Sequence, residues 1–383
     1  MASTLPSIVA ITMLCTGCST SSEVGSFDRG QDAGPETMTP LDLAPSTAHL
    51  ALGGEATCAI DSGGGVSCWG SNIAGQLGVG DINLNGSSQP LAVPGLKSGV
   101  RAVFGGPVSQ CAVLEDGHAT CWGDSIFGSF NHLPGTHYPT PSPFEAPGLG
   151  SVASMRLGIY FHCALLTDGS VKCYGINSAG QLGNGTLSDS YIPTGVVDLP
   201  PSRALAANGF FACAAAAQGA VKCWGNNEHG QLGDGSTLDH ATPVDVQGLT
   251  PGATAVCSGR EHACALLNGS VWCWGGNGWG QVGIGAGADV LTPAPVPALP
   301  VIEEIACGLT HTCARSGDGA VYCWGAPDSG SASSPAVVVP ADAVEIGAGG
   351  RHSCALLSNG WLRCWGSNDY GQLGPFGGNG QPL

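Results

Sequence analysis

The sequence predicts an all-β protein, a seven-bladed β-propeller with one hairpin disulfide per blade. Three observations predict it. A Cys-Trp-Gly pattern or a close variant recurs seven times at a spacing close to fifty residues. Each copy has a partner cysteine a short way upstream. Between them lie short apolar runs separated by Gly, Asn and Asp, with no long stretch that reads as an amphipathic helix. Composition agrees: among 383 residues there are 63 Gly and 26 Pro, with 43% hydrophobic and only 10% charged residues. That balance describes a folded, turn-rich chain rather than a disordered one.

The N-terminal segment comes first. Residues 5–14 (LPSIVAITML) form an apolar run too short to span a bilayer, leading into Thr16-Gly17-Cys18. A small residue before cysteine, after an apolar run, resembles a bacterial lipoprotein processing site. The expectation is a signal segment over 1–18 with lipid attachment at Cys18, and an exported protein: an outer-membrane lipoprotein, or one secreted or periplasmic. No Lys or Arg precedes Arg29, and Cys15 stands where Leu is usual, so a plain secretory signal is the alternative. Residues 19–38 are polar and Gly/Ser-rich and read as a flexible linker; the propeller is assigned to 39–383. Eighteen cysteines in a chain with so little charge also point to an oxidising compartment.

The repeat follows. The motif cysteines are Cys68, Cys121, Cys173, Cys223, Cys273, Cys323 and Cys364, with upstream partners Cys58, Cys111, Cys163, Cys213, Cys264, Cys313 and Cys354. Tyr174 replaces Trp in the third copy only. A proline opens each unit, at Pro40, Pro90, Pro143, Pro193, Pro243, Pro293 and Pro335. In the third unit Cys163-Ala-Leu-Leu and Val171-Lys172-Cys173 flank an Asp168-Gly169 turn, which makes a β-hairpin. Counting outward from the turn places Cys163 opposite Cys173. The fifth unit is one residue shorter, with Asn268-Gly269 at the tip, and the count still brings Cys264 opposite Cys273. Facing residues lie roughly 4.5–5.5 Å apart at Cα, within disulfide range. Each bridge contributes roughly 2–3 kcal/mol in the chain-entropy model, although seven do not simply add. Zinc is the competing reading, but it favours close-spaced cysteines in clusters of four rather than isolated facing pairs. Both faces of the hairpins are apolar, as stacked blades require, so the motif Trp reads as packing between blades.

The strings Gly-x-x-His-x-Cys-Ala-Leu, Asp-Gly-x-Val-x-Cys-Trp-Gly and Asn-x-x-Gly-Gln-Leu-Gly together resemble the regulator of chromosome condensation repeat. The likeness runs over about 39–383 and rests on seven tandem copies. It implies a seven-bladed propeller whose members mostly bind other proteins; the founding type exchanges guanine nucleotide on a nuclear GTPase. The paired cysteines depart from the eukaryotic members and resemble exported bacterial ones. Gly-Gln-Leu-Gly or Gly-Gln-Val-Gly is present in five units and missing from those containing 123–147 and 325–334. The final Gln381-Pro382-Leu383 echoes Gln89-Pro90-Leu91, so the ring closes through that tail or through the strand near Thr39-Pro40-Leu41.

Candidate sites are few. His262, His311 and His352 share one repeat position, filled elsewhere by Ala56, Ser109, Phe161 and Phe211, and are expected to bond structurally rather than hold metal. Cys257 and Cys307 fall outside the hairpin pairs and are proposed to bridge units five and six; buried free thiols are the alternative. Between Asn-x and Gly-Gln the repeat carries a variable residue, and Phe127, His229, Trp279 and Tyr370 would there share a rim suited to a protein partner, or pack locally against neighbouring loops. Asp234 and Asp239 could touch calcium but lack the density of a true loop. No nucleophile, zinc-protease or phosphate-loop motif is present, so no catalytic residue, metal or cofactor is assigned. With a net charge of −17 and 11 scattered Lys and Arg, nucleic acid is excluded as a partner. Contact with a membrane is expected only through a lipid at Cys18, and the chain is expected to be monomeric. The resulting expectation is a non-enzymatic, protein-binding scaffold. The alternatives are a polysaccharide-acting propeller with carboxylates near the axis, and nucleotide-exchange activity by family analogy.

Overall fold

The computed structural model describes residues 49–124, 139–326, 330 and 332–376. Blade five shows how the repeat becomes structure. Its strands are Ala253–Ser258, His262–Leu267, Ser270–Gly275 and Val290–Pro295, each antiparallel to the one before. The hairpin turns at Asn268 and Gly269, whose φ angles of 48° and 80° are both left-handed, as a two-residue Asn-Gly turn demands. Cys264 then faces Cys273 in the ladder. The second strand is buried along its whole length, because one face packs on each neighbouring blade.

Seven such sheets follow in chain order, over 50–92, 100–145, 152–195, 202–245, 253–295, 302–339 and 343–366. Six have four strands and the seventh has three among the described residues. First strands surround the axis, where residues of all seven blades line one channel. Fourth strands lie outermost and are only partly covered. All seven hairpin disulfides join residues directly opposite in the ladder, with Cα atoms 4.0–4.1 Å apart, drawn somewhat closer than an unbridged pair. An eighth disulfide joins Cys257 of blade five to Cys307 of blade six.

The repeat and the blade are out of phase. Pro90, Pro143, Pro193, Pro243 and Pro293 sit on the outer strand of the preceding blade. Proline has no N–H to offer a ladder, so an edge strand is where a sheet tolerates it. A fourth strand for blade seven would by this phase come from either the segment at Pro40 or the one at Pro382; both lie outside the described residues. Among the described residues, the ring closes by packing of blade seven on blade one, with Gly350 N–H donating to Gly53 O at 3.0 Å and Glu345 bonded to His49.

Two bond systems tie blade to blade. The Trp of one blade donates its indole N–H to the Gln carbonyl of the blade before it: Trp122 to Gln76, Trp224 to Gln181, Trp274 to Gln231, Trp324 to Gln281, and Trp69 to Gln372 across the closure, all at 2.8–3.0 Å. Blades two and six lack that Gln. The residue facing blade two is Tyr174, the one replaced Trp, and the residue facing blade six is Trp365, whose Nε1 has no partner among the described residues. The replaced Trp and the motif missing from blade two are therefore one departure seen from two sides.

The second system starts at the histidines. His262 Nε2 bonds Thr312 Oγ1 at 2.9 Å, His311 bonds Ser353 at 2.8 Å, and His352 bonds Thr57 at 2.9 Å, each on the next blade. Thr312 and Thr57 in turn donate to the carbonyls of Gln281 and Gln372. A hydroxyl whose proton is directed there must accept from the ring, which puts a proton on Nε2 of His262 and His352. A Cβ built on Gly259, Gly308 or Gly349 would fall onto the ring of His262, His311 or His352, which explains the Gly-x-x-His spacing. Burial pushes their pKa values down to about 3, about 4 and about 3.

Candidate functional site: the loop face and its mouth

Strand direction sorts the connections. The turns between first and second strands and the long loops between third and fourth strands emerge on one face; the hairpin turns and blade linkers emerge on the other. On the first face the Asn and Gln of the repeat build the loops. Asn72, Asn177, Asn227, Asn277 and Asn368 each accept, through Oδ1, the N–H of the residue five positions on. Gln76, Gln181, Gln231, Gln281 and Gln372 each accept, through Oε1, the N–H of the variable residue itself. The variable residue thus stands on a clamped backbone, and its side chain is free to differ from blade to blade. Asp234 and Asp239 belong to this bracing: Asp234 accepts from Asn227 and Ser236 and pairs with His240, while Asp239 accepts the Asn227 N–H.

Trp279 is 56% exposed and Tyr370 is 41% exposed on this face. His229 is engaged instead. Its Nδ1 bonds Asp289 at 2.8 Å and its Nε2 lies 3.7 Å from Glu261, both in blade five, and the Asp289 bond raises its pKa. It joins one loop to the next. Phe127 lies outside the described residues, as does Cys18. Among the described rim residues, Trp279 alone lines a cavity of about 720 Å³ at the mouth of the axis. It shares that mouth with Ile73, which is 61% exposed, and with Glu55, Arg260, Leu309 and Arg351. Burial raises the Glu55 carboxyl above its ordinary value, and Arg351 opposes the shift. Ile73 was not anticipated. The signal for it was an apolar residue just before the variable position, where the sequence elsewhere carries Ile126, Ser178, Glu228, Gly278, Asp328 and Asp369.

Gly54, Pro107, Leu309 and Gly350 border both this mouth and the axial channel, a second cavity of about 290 Å³. Arg156, Glu304 and Glu345 are its charged lining. Glu304 accepts from Arg315 Nε at 2.9 Å and from the Ile346 N–H at 3.4 Å; burial raises its pKa against the pull of Arg315, and Glu345 nearby adds to the rise. Glu345 accepts from His49 and from the Leu50 N–H. Both acids therefore stitch neighbouring blades together. Burial lowers the Arg156 pKa to about 10, so the guanidinium stays charged at neutral pH, 5.2 Å from the Phe104 ring centre. Cys257 and Cys307 line the same channel. The sulfurs of Cys257, Cys264 and Cys307 lie within 4.8 Å of one another, a spacing that also suits a soft metal, but all three are taken up in disulfides.

Comparison with known proteins agrees with this architecture. The ultraviolet-B receptor UVR8 of Arabidopsis thaliana is 29% identical over 175 residues, covering 44% of this chain and 39% of that protein. The RCC1-like G exchanging factor-like protein of Mus musculus is 32% identical over 170 residues, covering 41% of this chain and 36% of that protein. Each match spans less than half of the relative. Yeast RCC1 (Prp20), solved bound to Kap60, superimposes with a TM-score of 0.72 at 22% identity, covering 91% of this chain and 88% of that one. The model of the RCC1-like domain matches residues 12–336, and that of the regulator of chromosome condensation (RCC1) repeat matches 343–372. With the family model spanning most of the chain and all seven blades in place, the protein belongs to the RCC1-like domain family.

Proposed function

We propose that the protein is a non-enzymatic scaffold that binds another protein at the mouth of its loop face. The observation that carries this is the pairing of Trp279 and Ile73, both more than half exposed, in one open cavity on loops clamped from beneath. Rigid, solvent-facing apolar groups at the centre of a concave face are what binding hot spots are made of, since little entropy is lost when they are covered. Tyr370 would extend the same surface. That yeast RCC1 was solved bound to another protein is in keeping with this reading.

Eight disulfides favour an oxidising compartment, and export by the N-terminal segment, with or without a lipid at Cys18, accounts for them. Among the described residues no helix is long and apolar enough to cross a membrane. The polysaccharide reading draws no support from the axial acids, because Glu304 and Glu345 already serve as acceptors between blades. The test is recovery of partners from envelope extracts on immobilised protein, comparing wild type with Ile73→Ala/Trp279→Ala. Affinity for the main recovered partner should fall at least tenfold, about 1.4 kcal/mol. Equal recovery and equal affinity would remove the mouth from consideration.

A further inference from the structure

We propose that Cys257–Cys307 is a redox-active bridge that exchanges with the neighbouring hairpin disulfide Cys264–Cys273. The strand register creates the possibility. Cys257 faces Cys264 on the adjacent strand, and Cys264 faces Cys273 on the next, so three cysteines stand in one row across blade five. Among the blades this row is peculiar to the fifth: the place of Cys257 is held by Ala51, Phe104, Arg156, Ala206, Ala306 and Gly347. Cys307 reaches across from blade six, which brings the sulfurs of Cys257, Cys264 and Cys307 within 4.8 Å of one another. Cys264 can therefore be met by a sulfur from either side.

Access selects which bond opens first. Cys257 is half-buried, Cys307 is 9% exposed, and both line the axial channel. The hairpin cysteines are at 0%, apart from Cys364 at 4%. Thiol–disulfide exchange needs a thiolate to reach a sulfur, so a small dithiol entering the channel meets the inter-blade bridge before any hairpin. Its first thiolate attacks Cys257 Sγ, the more exposed of the two sulfurs, and the Cys257–Cys307 electron pair leaves on Cys307. Its second thiolate resolves the mixed disulfide, releasing Cys257 as a thiolate and the reductant as its own disulfide. The Cys257 thiolate then attacks Cys264 Sγ, and Cys273 leaves as the thiolate. Two electrons and two protons pass from the dithiol to the protein; the protons end on Cys307 and Cys273. The inter-blade tie is lost, and a tie between first and second strands of blade five replaces the hairpin staple.

Folded protein treated briefly with limiting dithiothreitol, quenched with N-ethylmaleimide and digested with pepsin at acid pH would show the products directly. The expected map has Cys307 and Cys273 alkylated, a new Cys257–Cys264 linkage, and the other six hairpin disulfides intact. Alkylation of Cys257 and Cys307 with Cys264–Cys273 intact would overturn the exchange, and simultaneous opening of several hairpins would overturn the selectivity. In Cys257→Ser/Cys307→Ser the Cys264–Cys273 bond should open no faster than its six counterparts; if it still opens first, the bridge is not its route. The wild-type map decides by itself should that variant fail to fold.

Discussion

At the scale of the residue, one indole N–H does two things. It fills the blade interface and it satisfies the Gln carbonyl of the loop before it. The two contributions can be separated because Trp365 has no acceptor among the described residues while Trp224 has one. Trp→Phe removes similar packing at either position, but only at Trp224 does it also leave a buried carbonyl without its bond. We expect Trp224→Phe to be the more destabilising by about 1 kcal/mol, read as the difference in urea midpoints. Equal losses would mean that the bond is worth nothing beyond the ring. Gly308 illustrates the reverse constraint, since its missing side chain is what admits the His311 ring. Gly308→Ala should lower the melting temperature by several degrees, equivalent to about 1–3 kcal/mol of overpacking.

At the scale of the element, the histidine–hydroxyl bonds join blades five to six, six to seven and seven to one. Their pH dependence follows from burial. In the unfolded chain a histidine titrates near 6.5, whereas in the fold these three hold out to about 3–4. Below pH 6.5 the unfolded state binds more protons than the folded one, so stability is full above that value and is lost as pH falls toward the folded values. Each histidine adds a slope of about 1.4 kcal/mol per pH unit. Thermal unfolding followed from pH 7.5 to 4.5 should show this loss. His311→Phe, which installs the residue that blades three and four already use at Phe161 and Phe211, should flatten the curve; an unchanged slope would place the acid sensitivity elsewhere. The hairpins were legible at this scale because a turn of fixed length and an alternating strand leave little choice of register. The hydroxyl partners were not, because Thr312, Ser353 and Thr57 lie 50, 42 and 295 residues from their histidines.

At the scale of the molecule, the fold is a ring of blades with apolar cores between them and two faces of different construction. The loop face can therefore change without disturbing the ring. Ile73→Ala/Trp279→Ala should leave the melting temperature within about 2 °C of wild type, as exposed positions usually do, while lowering partner affinity at least tenfold. A large drop in stability would instead make these residues part of the packing. The same separation predicts that full reduction weakens the ring broadly. Intact mass should rise by two hydrogens for each of the eight disulfides, with thermal unfolding shifted downward alongside.

The chain by itself determined the number of blades, which a repeat spaced close to fifty residues counts out, and the hairpin register with its seven facing cysteine pairs, which turn length and strand alternation set within about ten residues. It also marked Trp279 and Tyr370 as variable positions on a common face. Only the tertiary structure decided that the repeat is offset from the blade, that His229 is tied to Asp289, and that Ile73 rather than His229 shares the mouth with Trp279. It alone showed that Cys257 stands beside a hairpin disulfide. Those facts depend on which residues of different blades meet, and that is set by how sheets pack around an axis, a distance along the chain that no local pattern reports.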